Sequence, residues 1–543
     1  MVQTEPGGIR LFLLGMAVLI PAVWLDTSLT GSDEYRVTFR TALETAASDD
    51  WTIPTLDGEP RLRKPPLYYW LLASSLEWFG SNPLSLRIWG VICAVLMALV
   101  TATIGKRFTG TSATLIFVIL IGTVGLATES RRAMLDIPMA MLLLLSIERF
   151  LTWWTDGGPV RIVVAGVLLA LACLIKPTAL LFGFTAVVSL FLVGPKRSSR
   201  AALWQLPMFL AALLVVAIPW WIHAYLQYPE LLQQRWSEQI AHRQFSWIHV
   251  EAIPSLLGGF LGLILPWSIT AVMAVLVFIR AKPDGLENPQ RWLVMWVILS
   301  SIPFLFMKTF ERYLIPILPA MAILTATYLD GLDEDGRIRH LGWATLLLGI
   351  PCLLIAAFVG WFGCSLAAAV MIVSAWFLMW LLAREGRILS CALCAAAQLS
   401  IVMGIALPSV GIGAMPTIPS VCDDSTFATV GMDLLPTLTL ARGRAIEILP
   451  TDAISMASAL PGEKTTLIVT DDQLPEILEA LKLSARKSRP VATFGTFRSR
   501  KIFTRFPRAD ATADDWRQAF MERSLDSLRI PCTILLVEPR EDP

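Results

Sequence analysis

Apolar residues in this chain come in blocks too long for a water-soluble core, Ile88–Ile104 and Leu341–Phe358 among them. A helix needs roughly 20 such residues to cross a bilayer. Apolar runs bounded by charge or by Gly/Pro clusters give about thirteen expected spans: 10–29, 85–105, 111–129, 134–153, 160–176, 178–194, 202–225, 255–279, 290–307, 312–329, 340–361, 364–383 and 388–408. The weakest divisions are the Lys176-Pro177 break and the one near Gly363. At 543 residues, length alone suggests three or four soluble domains. Composition overrules that: 55% of residues are hydrophobic and only 16% charged, against about 25% charged in ordinary globular chains. With 44 basic and 43 acidic residues there is no excess charge for nucleic acid. Four histidines and no paired CxxC spacing exclude a classical zinc module.

The first apolar run follows Arg10 but ends in Trp24-Leu25-Asp26-Thr27, without a small-x-small cleavage site, so it reads as an uncleaved helix. A cytoplasmic N-terminus places Lys106 and Arg107, Arg161, Lys196, Arg197 and Arg200, Arg280, Lys282 and Arg291, Arg337 and Arg339, and Arg384 and Arg387 in inside loops. Every inside loop is then basic, as the positive-inside rule requires. The expected organisation is a transmembrane domain over 1–409 with two long external loops, 30–84 and 226–254, and a soluble external domain over 410–543. Aromatics mixed with charges in both loops suit amphipathic helices at the membrane surface, or plain loops with an aromatic belt.

In the tail, Thr465–Thr470, Val491–Phe494, Lys501–Phe506 and Cys532–Val537 read as strands, and 473–487 as a helix with Leu474, Ile477, Leu478 and Leu481 on one face. That order is a small α/β domain. No glycine-rich phosphate loop follows these strands, which argues against a nucleotide site. The tail's two cysteines, Cys422 and Cys532, would have the chance to pair in an oxidising compartment.

Ionisable residues near membrane depth are functional candidates by default. In this topology Asp33, Glu34, Lys64, Asp136, Lys176, Arg243, Lys308, Glu311 and Arg312 fall on the external side. Each has a plainer reading as well. Asp33-Glu34 also fits a solvated helix end. Lys64 precedes Pro65-Pro66, an extended elbow, and suits either a headgroup or a phosphate. Asp136, two residues before Pro138, also fits a helix N-cap. Three charges at Lys308, Glu311 and Arg312 exceed what a tight turn needs.

Taken in order, the acidic pair, Lys64–Trp70 (KPPLYYW), Leu135–Pro138 (LDIP), the Lys-Pro break and Glu311–Ala320 (ERYLIPILPA) resemble the aminoarabinose transferase branch of the protein O-mannosyltransferase superfamily, the GT-C membrane glycosyltransferases. The likeness spans about residues 10–330; the tail carries no matching motif. It implies a polytopic α-helical GT-C fold with an extracytoplasmic C-terminal α/β domain in a bacterial inner membrane. It also implies roles. Asp33 matches the first-loop acid near the reacting centre, Lys64 and Tyr313 the residues at the carrier phosphate, and Asp136 a second aspartate. Arg243 matches the loop arginine, although the spacing of Glu238–Phe245 departs from the family's. Arg63 stands where relatives often carry a metal-associated Glu, so no metal and no other cofactor is expected.

The chemistry these residues suit is transfer of a pentose, aminopentose or hexose from a polyprenyl-phosphate carrier to a lipid, glycan or protein acceptor. Asp33, with Glu34 as rival, would be the base and Asp136 its orienting partner. Lys64, Arg243 and Tyr313, with Lys308 or Arg312, would hold the departing phosphate. Membrane lipids are the surroundings and nucleic acid is not a partner. A lipid or sugar transporter, or a membrane scaffold, are the competing readings. A transporter would favour internal repeats and a midplane site, and the sequence displays neither.

Overall fold

The computed structural model describes residues 6–27, 33–241, 252–280, 289–307, 309–431, 435, 437–444, 446–498 and 505–539. Among these, seven helices are long and apolar enough to cross a membrane, for example Pro83–Thr109, Asp136–Asp156 and Glu334–Trp361. A bent pair adds an eighth crossing if counted as one, and four shorter apolar helices pack with them. Helix is present in each of the thirteen expected segments, but several are not single straight spans.

The physical causes lie in the sequence. The first helix covers only Gly8–Leu19, because Pro21 and the positive φ of Ala22 turn the chain (φ 67°). The segment expected at 255–279 is two helices, Ile253–Ile264 and Ser268–Arg280, at 104° to each other. Pro266 sits at that break, where its missing N–H cannot continue a helix. The segment expected at 312–329 opens as a 3₁₀ stretch, Glu311–Ile317, with Pro316 inside it, before the α-helix Leu318–Asp330.

The first loop is ordered by its own polar residues. A π-helical turn, Glu34–Phe39, runs into a helix, Arg40–Ala47. A short hairpin follows, β1 Thr55–Leu56 and β2 Glu59–Pro60. Its Asp57-Gly58 turn has both residues at positive φ, the conformation favoured in two-residue hairpins. The Glu44 carboxylate accepts hydrogen bonds from Thr55 Oγ1, Asp57 N and Gly58 N, at 2.7–3.1 Å. After the Lys64-Pro65-Pro66 elbow comes a helix, Leu67–Phe79. Tyr68 and Tyr69, among the aromatics of this loop, are fully buried rather than at the membrane surface. In the second loop a helix spans Pro229–Ala241.

The tail forms a five-stranded sheet in the order β4-β3-β5-β7-β6: β3 Thr426–Val430, β4 Glu447–Leu449, β5 Thr465–Thr470, β6 Ser488–Thr496 and β7 Ile530–Val537. Strands β4, β3 and β5 are parallel, and β7 runs antiparallel to both β5 and β6. The expected strand at 501–506 lies mostly outside the described residues. Cys422 and Cys532 are buried in one apolar cluster as free thiols. Burial pushes the Cys532 thiol up to about 12. The sheet docks on the helical body: Ser81 Oγ donates to Leu440 O (2.6 Å), Arg40 Nη1 to Ile446 O (3.1 Å), and Trp361 stacks on Phe520.

Candidate active site

Two buried guanidinium groups brace the start of the first loop. Arg131 donates to the carbonyls of Val18 (2.8 Å) and Pro21, and Arg87 to that of Leu25 (2.9 Å), so the end of the first helix and the turn after it are held by guanidinium groups. Arg87 also grips Glu34 through two bonds, at 2.9 and 3.1 Å. The Ala133 N–H donates to the same carboxylate at 2.9 Å. Glu34 thereby ties the first loop to the segment that leads into Asp136. Burial alone would raise its carboxyl, but Arg87 and the Ala133 N–H together hold it below the ordinary range. Gly90 makes the close approach possible: a Cβ there would lie 2.4 Å from Ser130 O.

Asp33 precedes the π-turn and points elsewhere. It lines a cavity of about 510 Å³ together with Lys64, Asp136, Arg312 and Tyr313, so five of the eight expected site residues meet there. Glu34 does not line it; its carboxylate is committed to Arg87. Arg243 and Lys308 lie outside the described residues.

Within the cavity, Arg312 Nη2 donates to Asp33 Oδ2 at 2.7 Å. Asp136 is the first residue of its helix and makes no cap, contrary to the N-cap reading. Its Oδ1 accepts from Lys176 Nζ at 2.5 Å. That ammonium also sits 3.8 Å from the centre of the Tyr313 ring. The helix Pro159–Ile175 stops at Lys176-Pro177, which delivers the ammonium to this point. Lys64 is half-buried on the cavity wall, within electrostatic reach of Asp136.

Three charged lining residues, Arg61, Arg63 and Glu238, were not singled out by sequence reasoning as site residues. Arg61 donates to Tyr69 OH at 3.0 Å. Arg63 bonds Glu238 at 2.8 Å, joining the elbow to the helix Pro229–Ala241, and Arg235 supports the same carboxylate at 3.3 Å. These bonds, Arg63's first, hold the Glu238 carboxyl below its ordinary range. The signal available was the basic run Arg61-Leu62-Arg63-Lys64. Among the described residues no group of three His, Cys, Asp or Glu side chains converges as a metal ligand set. The guanidinium of Arg63 already neutralises Glu238, so this rim does not fit a metal ion. Glu311, the other acid of the turn, lies alongside Gly259 rather than in the cavity.

Among the described residues, five basic and three acidic side chains line the cavity, a wall suited to an anion. Beside it runs an apolar groove of about 740 Å³, lined by Pro177, Leu213, Leu214, Trp221, Leu232 and Trp236 among others. Pro177 follows Lys176 directly, and Trp236 shares a helix with Glu238. An anion-holding cavity beside an apolar groove can accommodate an amphiphile with a charged head.

Comparisons with known proteins bear on the sequence and the fold. A family model described as dolichyl-phosphate-mannose-protein mannosyltransferase matches residues 63–223. Over 347 residues the chain is 25% identical to an uncharacterized protein of Aquifex aeolicus, covering 61% of this chain and 65% of that one. Over 326 residues it is 26% identical to the undecaprenyl phosphate-alpha-4-amino-4-deoxy-L-arabinose arabinosyl transferase of Pseudomonas aeruginosa, covering 57% of each. The chain thus spans less than two thirds of the length of these curated relatives. Its fold matches the crystal structure of ArnT from Cupriavidus metallidurans bound to undecaprenyl phosphate, with a TM-score of 0.68, 17% identity and 97% coverage of both chains. The resemblance carried by the motifs therefore holds in sequence and in fold: the chain is aminoarabinose transferase-like, a membrane protein of the GT-C type.

Proposed function

We propose that this protein is an integral-membrane glycosyltransferase that moves a sugar from a polyprenyl-phosphate carrier to a lipid, glycan or protein acceptor. The observation that carries the reading is the meeting of Asp33 and a cation-rich wall in one cavity, with an apolar groove alongside. The names of the Pseudomonas relative and of the Cupriavidus structure, both of which include undecaprenyl phosphate, support it. The basic inside loops of the sequence support a reaction on the outer face of the membrane, with the C-terminal sheet on the same side.

The isoprenoid tail lies in the groove lined by Leu213, Trp221 and Trp236. The phosphate enters the cavity against Lys64, with Arg61 and Arg63 on the same wall. An acceptor hydroxyl attacks the anomeric carbon from the face opposite the phosphate, inverting it. The hydroxyl proton passes to the Asp33 carboxylate as the carbon–oxygen bond to phosphate breaks. That bond's electron pair leaves with the carrier, whose phosphate gains a negative charge that the cations stabilise. Asp136, locked to Lys176, orients the site. Arg312 holds Asp33 in place.

Purified protein incubated with radiolabelled polyprenyl-phosphate sugars and a membrane extract should release free carrier phosphate and label an acceptor. Recovery of every donor intact would remove the reading. The glycan and lipid profile of a deletion strain would then name the acceptor.

A further inference from the structure

We infer that the tail helix Ala513–Glu522 is an interfacial membrane contact, with Trp516, Phe520 and Met521 seated among the phospholipid headgroups at the Trp361 end of the helix Glu334–Trp361. The inference stands apart from the glycosyl-transfer reading. The helix is well defined at its start: Thr512 Oγ1 accepts from Asp515 N at 3.3 Å, and Asp515 Oδ2 accepts from Thr512 N at 2.7 Å. At helical spacing Ala513, Trp516, Arg517, Phe520 and Met521 share one side, Asp515, Gln518 and Glu522 the other, and Asp514 lies at the boundary. Ala519 is the buried residue of the helix. The large apolar residues are not buried: Trp516 is 37% exposed, Phe520 53% and Met521 76%.

An exposed apolar side chain by itself needs no explanation, but a contiguous apolar face does. What covers this one follows from its neighbours. The helix Glu334–Trp361 has 28 residues. At 1.5 Å per residue it is about 42 Å long, against about 30 Å of bilayer hydrocarbon. Its last residue therefore reaches the interface, the depth that tryptophan favours. Leu354 on that helix, and Leu366 at the start of the next one, Leu366–Arg384, are exposed as lipid-facing residues are. The tail helix joins this surface directly. Trp361 Nε1 donates to Phe520 O at 3.1 Å, and the two rings stack with centroids 4.6 Å apart. The Arg523 guanidinium lies 4.7 Å from the Trp361 ring centre. Phe506 meets Phe358 of the membrane helix and Trp516 of the tail helix edge-on, at 6.1 Å each. The face that begins at Phe520 thus continues the lipid-facing surface at interfacial depth. An amphipathic helix with aromatics and an arginine on its lipid side suits that position. Arg517 can lay its stem along the apolar face and keep its guanidinium among lipid phosphates.

The test is site-directed fluorescence of the full-length protein in nanodiscs of phosphatidylcholine and phosphatidylglycerol. Met521→Cys and Glu522→Cys each carry an environment-sensitive fluorophore. Cys364 and Cys394, the native thiols that are only partly buried, are replaced by Ser in both. Met521 and Glu522 are exposed, so neither change opens a core. The label at 521 should emit to the blue of the label at 522. It should be quenched by spin-labelled phosphatidylcholine, more by a nitroxide near the headgroup than by one at the chain end, and be shielded from iodide. The label at 522 should show the reverse. Iodide quenching at 521 as strong as at 522 would overturn the inference. So would shielding of 521 from both quenchers, which would assign the face to a protein partner. Either result leaves the transfer reading standing.

Discussion

Arg312 Nη2 and Asp33 Oδ2 lie 2.7 Å apart although 279 residues separate them in the chain. The contact joins the first loop to the 3₁₀ turn that begins at Glu311, two segments with no sequence continuity. On the proposed mechanism the pair keeps the base aimed. Arg312→Ala should therefore lower turnover by roughly ten- to hundredfold, the worth of a charge-assisted hydrogen bond of about 1.5–3 kcal/mol. In a double-mutant cycle, Asp33→Asn with Arg312→Ala should be scarcely worse than Asp33→Asn alone. Strictly additive losses would mean that Arg312 acts elsewhere.

Lys64 is assigned to the donor phosphate. Lys64→Ala should raise the apparent KM for the donor, lower turnover, or both, by about ten- to hundredfold. Lys64→Arg should also be impaired, because the Pro65-Pro66 elbow fixes the reach and a planar fork differs from an ammonium. Kinetics at limiting donor decide this, and full activity of Lys64→Ala would take Lys64 out of the site.

Glu34 is predicted to be a stability residue. Glu34→Gln leaves Arg87 buried without its carboxylate, and breaking a buried pair costs about 3–5 kcal/mol. Thermal unfolding and the yield of folded protein should both fall. The sign with pH follows from its lowered folded-state ionisation. The stabilisation is present above the ordinary value of 4.5 and is lost as pH falls through the lower folded value. An acid titration of unfolding should show that loss in the wild type and not in Glu34→Gln.

Gly90→Ala forces a methyl group against the Ser130 and Arg132 carbonyls, 2.4 and 2.9 Å from the added carbon. Overpacking of this kind costs about 1–3 kcal/mol. Because the displaced segment leads into Asp136, turnover should fall along with thermal stability. A variant with wild-type stability and rate would show that the two segments do not need this approach.

Much of this was legible in the sequence. Asp33, Lys64, Asp136 and Tyr313 stood out by their motifs and because charges near membrane depth are costly. What sequence left open was which of Asp33 and Glu34 faces the cavity. Adjacent side chains diverge by the local winding, and the π-turn at Glu34–Phe39 has no pattern that distinguishes it from α-helix. The kink at Pro266 was hidden because a proline within an apolar run is compatible with either a bent span or a broken one. Strands β3 and β4 escaped notice because they are short; Thr426–Val430 follows the polar run Asp423-Asp424-Ser425, and Glu447–Leu449 has only three residues. The Asp136–Lys176 pair depends on two helix ends meeting, which no spacing along the chain encodes.

The central claim is that Asp33 takes the acceptor's proton. Its most direct test is turnover of Asp33→Asn beside Glu34→Gln in detergent, each normalised to folded protein, with release of carrier phosphate from a radiolabelled donor as the readout. Asp33→Asn keeps size and hydrogen bonding but cannot accept the proton. It should lose at least about a hundredfold in turnover, with polyprenyl phosphate binding unchanged, while folded Glu34→Gln retains activity. An active Asp33→Asn beside a dead, folded Glu34→Gln would transfer the role to Glu34, and two active variants would contradict a carboxylate base in this loop.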